Sequence, residues 1–171
     1  MRDVAAQSAV WRPPISYLPN AVLEPRRPLV ALATAWGLAF IPTLALGALV
    51  SSLMPHSAFP SFPPANWYLF LLLVVVAPLL ETLIMGTALV VLSWLVSPTA
   101  AVLISALGWG IAHSTAAPAW GLVIWWPFVI FSTLFLTWRR RSVLAALGMA
   151  TTAHAAHNFL PALMLVFGVE A

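Results

Sequence analysis

Residues 67–96 read WYLFLLLVVVAPLLETLIMGTALVVLSWLV, and Glu81 is the only charged residue among them. A helix needs roughly 20 mostly apolar residues to cross a hydrocarbon core of about 30 Å. The stretch therefore predicts a transmembrane helix that carries one acid in its middle. Pro78, which precedes that acid by three residues, predicts a kink in the helix.

Apolar stretches of similar length flank this one, at 29–54, 99–116, 119–138 and 143–168. The chain of 171 residues is 63% hydrophobic and 6% charged, which leaves too little polar surface to coat a soluble domain. We therefore predict an all-α polytopic membrane protein of about five transmembrane helices. The connections are short, so neighbouring helices are expected to be antiparallel.

The cationic residues are seven arginines, which lie in residues 1–28 and at Arg139–Arg141. An N-terminus in the cytoplasm places all of them on the cytoplasmic side, as the positive-inside rule requires. We expect residues 1–28 to be a cytoplasmic Pro- and Arg-rich segment and 29–168 the transmembrane domain. The C-terminus would then lie outside a membrane that we expect to be a bacterial inner membrane. The pI near 10.7 reflects this topology, and we expect no nucleic-acid partner.

Several polar residues fall within the predicted helices, and their depths agree. Glu81 and His113 lie 16 residues before and after the turn residue Ser97, so each is about 24 Å from that turn. His154 and Asn158 follow Arg141 by 13 and 17 residues, which places them about 20 and 26 Å from the same side.

Three predicted helices therefore present polar groups in one layer. Ionisable residues inside a membrane are costly, and they usually face the bundle interior and serve a function. We predict that these residues form a single site. The alternative is that each of them only hydrogen-bonds a neighbouring helix.

A carboxylate with imidazoles and a carboxamide can activate water by general-base catalysis and stabilise the resulting oxyanion. This combination is suited to peptide hydrolysis. The sequence has no Gly-x-Ser-x-Gly, no His-Glu-x-x-His and no pair of intramembrane aspartates, which argues against serine, zincin-type and aspartyl proteases. It also has no cysteine nucleophile.

The spacing of these residues resembles the CPBP family of CAAX-processing and bacteriocin-processing intramembrane proteases, also called Abi proteins. The family pattern is a Pro followed by Glu-Glu-x-x-x-Arg, then an aromatic residue-x-x-x-His, then His-x-x-x-Asn. Order and spacing agree over residues 67–168, with matches at Pro78, Glu81, Trp109, His113, His154 and Asn158. The resemblance implies that the last four predicted helices form a CPBP-like core.

The resemblance implies that Glu81 activates the attacking water with help from His113, while His154 and Asn158 stabilise the oxyanion. We expect Trp109, His157 and Thr82 to wall the site. The substrate would be a membrane-anchored protein or peptide, cleaved in a C-terminal tail, a leader or a sorting signal. We expect no cofactor, although a glutamate with two or three histidines can also bind zinc.

The chain departs from the family pattern at two positions, because Thr82 and Gly86 replace the second Glu and the Arg. Loss of both partners removes an ion pair without stranding a charge, and such an exchange can be nearly neutral in stability. The substitution fits either an active protease or a catalytically inactive scaffold.

Two further functions compete with the protease hypothesis. A non-catalytic subunit could use the same fold to bind transmembrane helices or pigments of a larger membrane complex, with small residues such as Gly108 and Gly110 allowing close packing. A proton or ion pathway through Glu81 and the histidines ranks lowest, because the sequence shows no inverted repeat of the kind found in transporters.

Overall fold

The computed structural model describes residues 13–56, 60–64 and 66–168. Within these ranges it contains helices and no β-strand, so the predicted all-α architecture is confirmed. A short helix, α1 (Asn20–Leu23), precedes five long helices, whose ends agree with the predicted stretches to within one residue. These are α2 (Pro28–Leu53), α3 (Trp67–Leu95), α4 (Pro98–Ala116), α5 (Pro118–Arg139) and α6 (Val143–Phe167).

Among the described residues, α2, α3, α4 and α5 are long and apolar enough to cross a membrane. The fifth predicted span, α6, is present as a helix of 25 residues, but it is not among the helices that are apolar enough to cross a membrane. Its two histidines and Asn158 lower its mean hydropathy. The chain is thus a polytopic membrane protein, while the crossing of α6 stays a prediction.

The long helices begin where the sequence supplies start signals. Ser97 and Ser142 accept hydrogen bonds from the backbone N–H groups of the first turns of α4 and α6, at 3.3 and 3.0 Å. Asn66 does the same for α3 at 2.8 Å. Helices α2, α4 and α5 each have a proline in the first turn, where its missing N–H costs no intrahelical bond.

Helix α5 forms the centre of the bundle. Of its most apolar stretch, 72% is buried, against 22 to 28% for the other three spans. Every residue from Pro127 to Trp138 is buried, and the helix packs against α2, α4 and α6. Trp126 of α5 donates its Nε1–H to the carbonyl of Leu38 in α2 at 2.8 Å.

Helix α2 packs against α5 and α6, so it is part of the packed bundle together with the four predicted core helices. Its contact face is a row of small residues, since Ala31, Ala35 and Ala39 are all fully buried. Residues spaced by four share one helix face, and alanines there allow the backbones to approach closely.

The described part of the N-terminal segment packs against the end of the bundle. Val22 is fully buried, and the hydroxyl of Thr99, in the first turn of α4, donates to the carbonyl of Pro14. The described part of the segment contains the helical turn α1, whereas Arg2 and Arg12 lie outside the described residues.

Helix α3 contains a π-helical turn at Leu72–Val76, immediately before Pro78. In this turn the N–H of Ala77 donates to the carbonyl of Leu72, five residues earlier instead of four. Pro78 has no N–H. The carbonyl of Leu73 is therefore left without a donor from its own helix, because the N–H of Ala77 is already used and Pro78 has none. The irregularity that the sequence predicts at Pro78 is thus a π-helical turn.

Candidate active site

Helices α3, α4 and α6 bring all four predicted catalytic residues to one cavity of about 60 Å³. The similar depths calculated from the sequence thus agree with the structure, in which the four residues line the same cavity. The catalytic role of each residue stays a prediction. The cavity has a polar side and a wall of apolar and aromatic side chains. It is lined by Glu81, His113, His154, His157 and Asn158 together with Leu73, Ala77, Trp120, Ile124, Pro127, Phe128 and Phe131.

Glu81 and His154 face each other across the cavity. Glu81 Oε2 lies 3.8 Å from His154 Nε2, which is too long for a hydrogen bond. The side chain of Glu81 is 25% exposed and that of His154 only 5%, so the carboxylate lies nearer the surface of the bundle. Both groups keep hydrogen-bonding capacity for a third partner between or beside them.

His113 is held in one orientation by its own helix. Its Nδ1 lies 2.8 Å from the carbonyl oxygen of Trp109, one turn earlier in α4. A carbonyl can only accept, so Nδ1 carries the hydrogen and, in the neutral ring, the lone pair is on Nε2. The edge-to-face contact with Trp120, with centroids 4.7 Å apart, fixes the other side of the ring. His113 is thus held in place as an acceptor.

The two histidines of α6 lie within aromatic surroundings. Phe131 stacks on the ring of His154 at 4.7 Å between centroids, and it contacts the ring of His157 edge-on at 5.8 Å. Within the described part of the chain, the Nδ1 atoms of both histidines are buried without a hydrogen-bond partner. Five other buried side-chain atoms of the described residues, among them the Thr82 hydroxyl, also have no partner, so this property alone does not distinguish the two histidines.

Asn158 donates its side-chain Nδ2 to the carbonyl oxygen of Leu73 at 3.0 Å. This is the carbonyl that the π-helical turn and Pro78 leave without a helical donor. The second hydrogen on Nδ2 is still available for another acceptor. Asn158 therefore donates a hydrogen bond to a backbone carbonyl of α3 and also lines the cavity. Only its position at the site was predicted from the sequence.

The three predicted wall residues have different positions. His157 lines the cavity. Trp109 is not among the lining residues, but it stacks at 4.6 Å on Phe128, which is one of them. Thr82 is fully buried and also lies outside the lining, and its hydroxyl has no hydrogen-bond partner in the described structure. Trp109 thus lies behind Phe128, and the prediction that Trp109 and Thr82 wall the site stays a prediction.

Gly86 shows how the departure from the family pattern is accommodated. A Cβ atom added to Gly86 would lie 2.6 Å from Cε2 of Phe135, a contact that no side chain tolerates without rearrangement. The ring of Phe135 is 1% exposed. The space that an arginine would need at position 86 is thus filled by an aromatic ring of α5.

The aromatic wall contributed by α5 was missed in the sequence. Phe128, Phe131 and Trp120 carry no charge, and nothing in their spacing points to a site. The apolar character of residues 119–138 gives no signal either, because α2 and α3 are more apolar still and are mostly exposed.

Among the described residues, no group of three or more His, Asp or Glu side chains is arranged to hold a metal ion. The expectation that the protein needs no cofactor stays a prediction. Comparison of the chain with family models, with curated proteins and with solved structures found no match. The resemblance to the CPBP proteases therefore rests on the three motifs alone.

Proposed function

We propose that this protein is an intramembrane endopeptidase of the CPBP type, which hydrolyses a peptide bond in a membrane-embedded or lipid-proximal substrate. The observation that carries the proposal is the convergence of Glu81, His113, His154 and Asn158, from three separate helices, on one cavity. Ionisable groups are costly inside a membrane. A shared task accounts for four such polar groups better than four unrelated helix contacts.

In the proposed reaction, Glu81 accepts a proton from a water molecule while the water oxygen attacks the scissile carbonyl carbon. The Nε2 lone pair of His113 accepts a hydrogen bond from the same water and orients it. The carbonyl oxygen becomes an oxyanion, which the remaining N–H of Asn158 and an Nε2–H of His154 stabilise. Glu81 then gives its proton to the leaving amine as the C–N bond breaks.

The position of Glu81 supports a substrate that lies in the membrane. A cavity of about 60 Å³ has room for water but not for a peptide segment, so the substrate backbone must reach Glu81 from outside. The neighbouring Leu80 and Ile84 are 53% and 61% exposed. An apolar segment lying along this side of α3 would meet the exposed fraction of the carboxylate.

We also propose that the end of the bundle where α5 ends and α6 begins, here called the arginine end, faces the cytoplasm of a bacterium. The described arginines support this orientation, since Arg26 and Arg27 directly precede α2 and Arg139–Arg141 join α5 to α6. With α6 crossing the membrane, the C-terminus lies outside.

The second candidate function is a catalytically inactive CPBP-like subunit that binds partner transmembrane helices. It is favoured by the contact between Gly86 and Phe135, because the charged pair of the family pattern has been replaced by buried apolar packing. This function predicts stable co-purification with a membrane complex and no effect of replacing Glu81.

An experiment in the native host separates the two candidates. The peptide termini of membrane proteins are compared between cells that carry the wild-type chain and cells that carry Glu81→Gln, with Glu24→Gln as a control outside the bundle core. A protease predicts that at least one membrane protein stays uncleaved only with Glu81→Gln. Identical termini in all three strains would contradict the proposal.

A further inference from the structure

A second cavity, of about 480 Å³, lies at the arginine end of the bundle. It is lined by Arg26, Arg140 and Arg141, with Asn20 and Glu24 beside them. Arg141 precedes His154 by 13 residues, or about 20 Å along α6. The two cavities have no described lining residue in common, so this one is separate from the candidate active site.

The described part of the lining contains three arginines and one glutamate. Arg26 Nη1 and Glu24 Oε2 are 3.5 Å apart, with side chains that are 78% and 44% exposed. Such an exposed pair is weak and screened by water, so the guanidinium of Arg26 remains able to bind an anion.

The shape of this cavity is fixed by packing rather than by the arginines themselves. Val22 anchors α1 in the core with full burial, and the bond from Thr99 to the Pro14 carbonyl ties the preceding residues to α4. On the opposite side, the guanidinium of Arg141 lies 5.4 Å from the centroid of the Trp138 ring, within the range of a cation–π contact. The concavity is therefore present before any ligand binds.

The chemistry of the lining indicates a phosphate ligand. Guanidinium groups form paired hydrogen bonds with phosphate oxygens, and basic pockets at this level of a membrane protein suit anionic headgroups. Two apolar residues near these arginines in the sequence indicate the source of the phosphate. Leu29 and Leu144 lie in the first turns of α2 and α6, two and three residues after Arg27 and Arg141, and are 80% and 81% exposed. Their exposed side chains can contact the acyl chains of a phospholipid, whereas a free phosphate ion has no apolar part.

We propose that this cavity binds the headgroup of an anionic phospholipid, with Arg26 and Arg141 beside its phosphate. The proposal does not depend on the proteolytic function. Lipid binding would be a second role of the arginine end, in addition to setting the orientation of the protein in the membrane.

Native mass spectrometry of the full-length protein, delipidated in detergent, tests this site. Dioleoylphosphatidylglycerol should bind with one saturable equivalent, and dioleoylphosphatidylcholine should not. Arg26→Gln should weaken binding about fivefold, the effect expected of one arginine near a membrane surface, whereas Arg26→Lys, which keeps the charge but loses the paired hydrogen bonds, should weaken it less. Arg27→Gln is the matched control, because Arg27 is adjacent in sequence but does not line the cavity.

Each variant is first checked for its helical circular dichroism, so that a folding defect is not mistaken for lost binding. Equal weakening by Arg26→Gln and Arg27→Gln would overturn the proposal in favour of general surface charge. Equal binding of the two lipids would also overturn it. Displacement of the lipid by an equimolar amount of inorganic phosphate would show that the ligand is a free phosphate and not a phospholipid.

Discussion

The side-chain amide of Asn158 lies 3.0 Å from the carbonyl oxygen of Leu73 and so joins α6 to the π-helical turn of α3. Leu73 is two turns before Glu81 on the same helix. The bond supplies the donor that Pro78 cannot, and it sets the position of the helix segment that carries the acid. Asn158 is thus a positioning residue for Glu81 as well as a proposed oxyanion donor.

The first prediction concerns this bond. Asn158→Leu should lower the free energy of unfolding in detergent by about 1–3 kcal/mol, because it leaves a buried carbonyl without a partner. Pro78→Ala restores an N–H that can reach the Leu73 carbonyl from within α3. The double variant should therefore be more stable than the sum of the two single effects predicts. A double-mutant cycle by chemical denaturation measures this coupling, and additivity within about 0.5 kcal/mol would argue against the role of Asn158.

The second prediction concerns Gly86. Gly86→Ala should cost about 1–3 kcal/mol of unfolding free energy, because the new methyl group overpacks against Phe135. Phe135→Leu should reduce that cost in the double variant. Gly108→Ala is the control, since a Cβ atom there meets nothing within 4 Å and alanine favours the helix by up to about 1 kcal/mol. Equal changes in unfolding free energy for Gly86→Ala and Gly108→Ala would show that the ring of Phe135 does not fill the space beside position 86.

Much of the fold follows from local sequence signals. Ser97 and Ser142 cap helices, and Pro98 and Pro118 occupy first turns, so these helix starts could be predicted to within a residue. The common depth of Glu81 and His113 followed from the rise per residue of a helix and one short turn. These inferences need no knowledge of which helices are neighbours.

The remaining features depend on contacts between helices that no local pattern specifies. The bond from Asn158 to Leu73 requires a π-helical turn whose position the sequence marks only through Pro78. The exclusion of Thr82 from the cavity depends on the rotation of α3 about its axis. The proximity of Gly86 to Phe135 depends on how α5 packs at the centre of the bundle.

The third prediction separates a structural role of Glu81 from a functional one. Since Glu81 and His154 are 3.8 Å apart and do not hydrogen-bond directly, Glu81→Gln should leave the unfolding free energy unchanged or raise it by up to about 1 kcal/mol. Thermal unfolding of the purified protein in detergent measures this, with Glu24→Gln as the surface control. A loss of more than about 1 kcal/mol for Glu81→Gln alone would mean that the acid mainly holds the bundle together.

The fourth prediction concerns the protonation pattern of His113. The bond to the Trp109 carbonyl requires a hydrogen on Nδ1, so the neutral ring should be the Nδ1–H tautomer with an unprotonated Nε2. Solid-state nitrogen NMR of the protein in bilayers, with labelled histidine and His113→Gln to assign the signal, distinguishes the two tautomers. An Nε2–H signal for His113 would exclude it as the acceptor for the attacking water.

The rate of peptide-bond hydrolysis by the purified protein in proteoliposomes tests the central claim most directly, once the uncleaved substrate has been identified in cells. The account predicts that Glu81→Gln slows cleavage by about 100- to 10,000-fold, as expected for loss of a general base, while Glu24→Gln cleaves at the wild-type rate. Cleavage by a folded Glu81→Gln variant at the wild-type rate would contradict it.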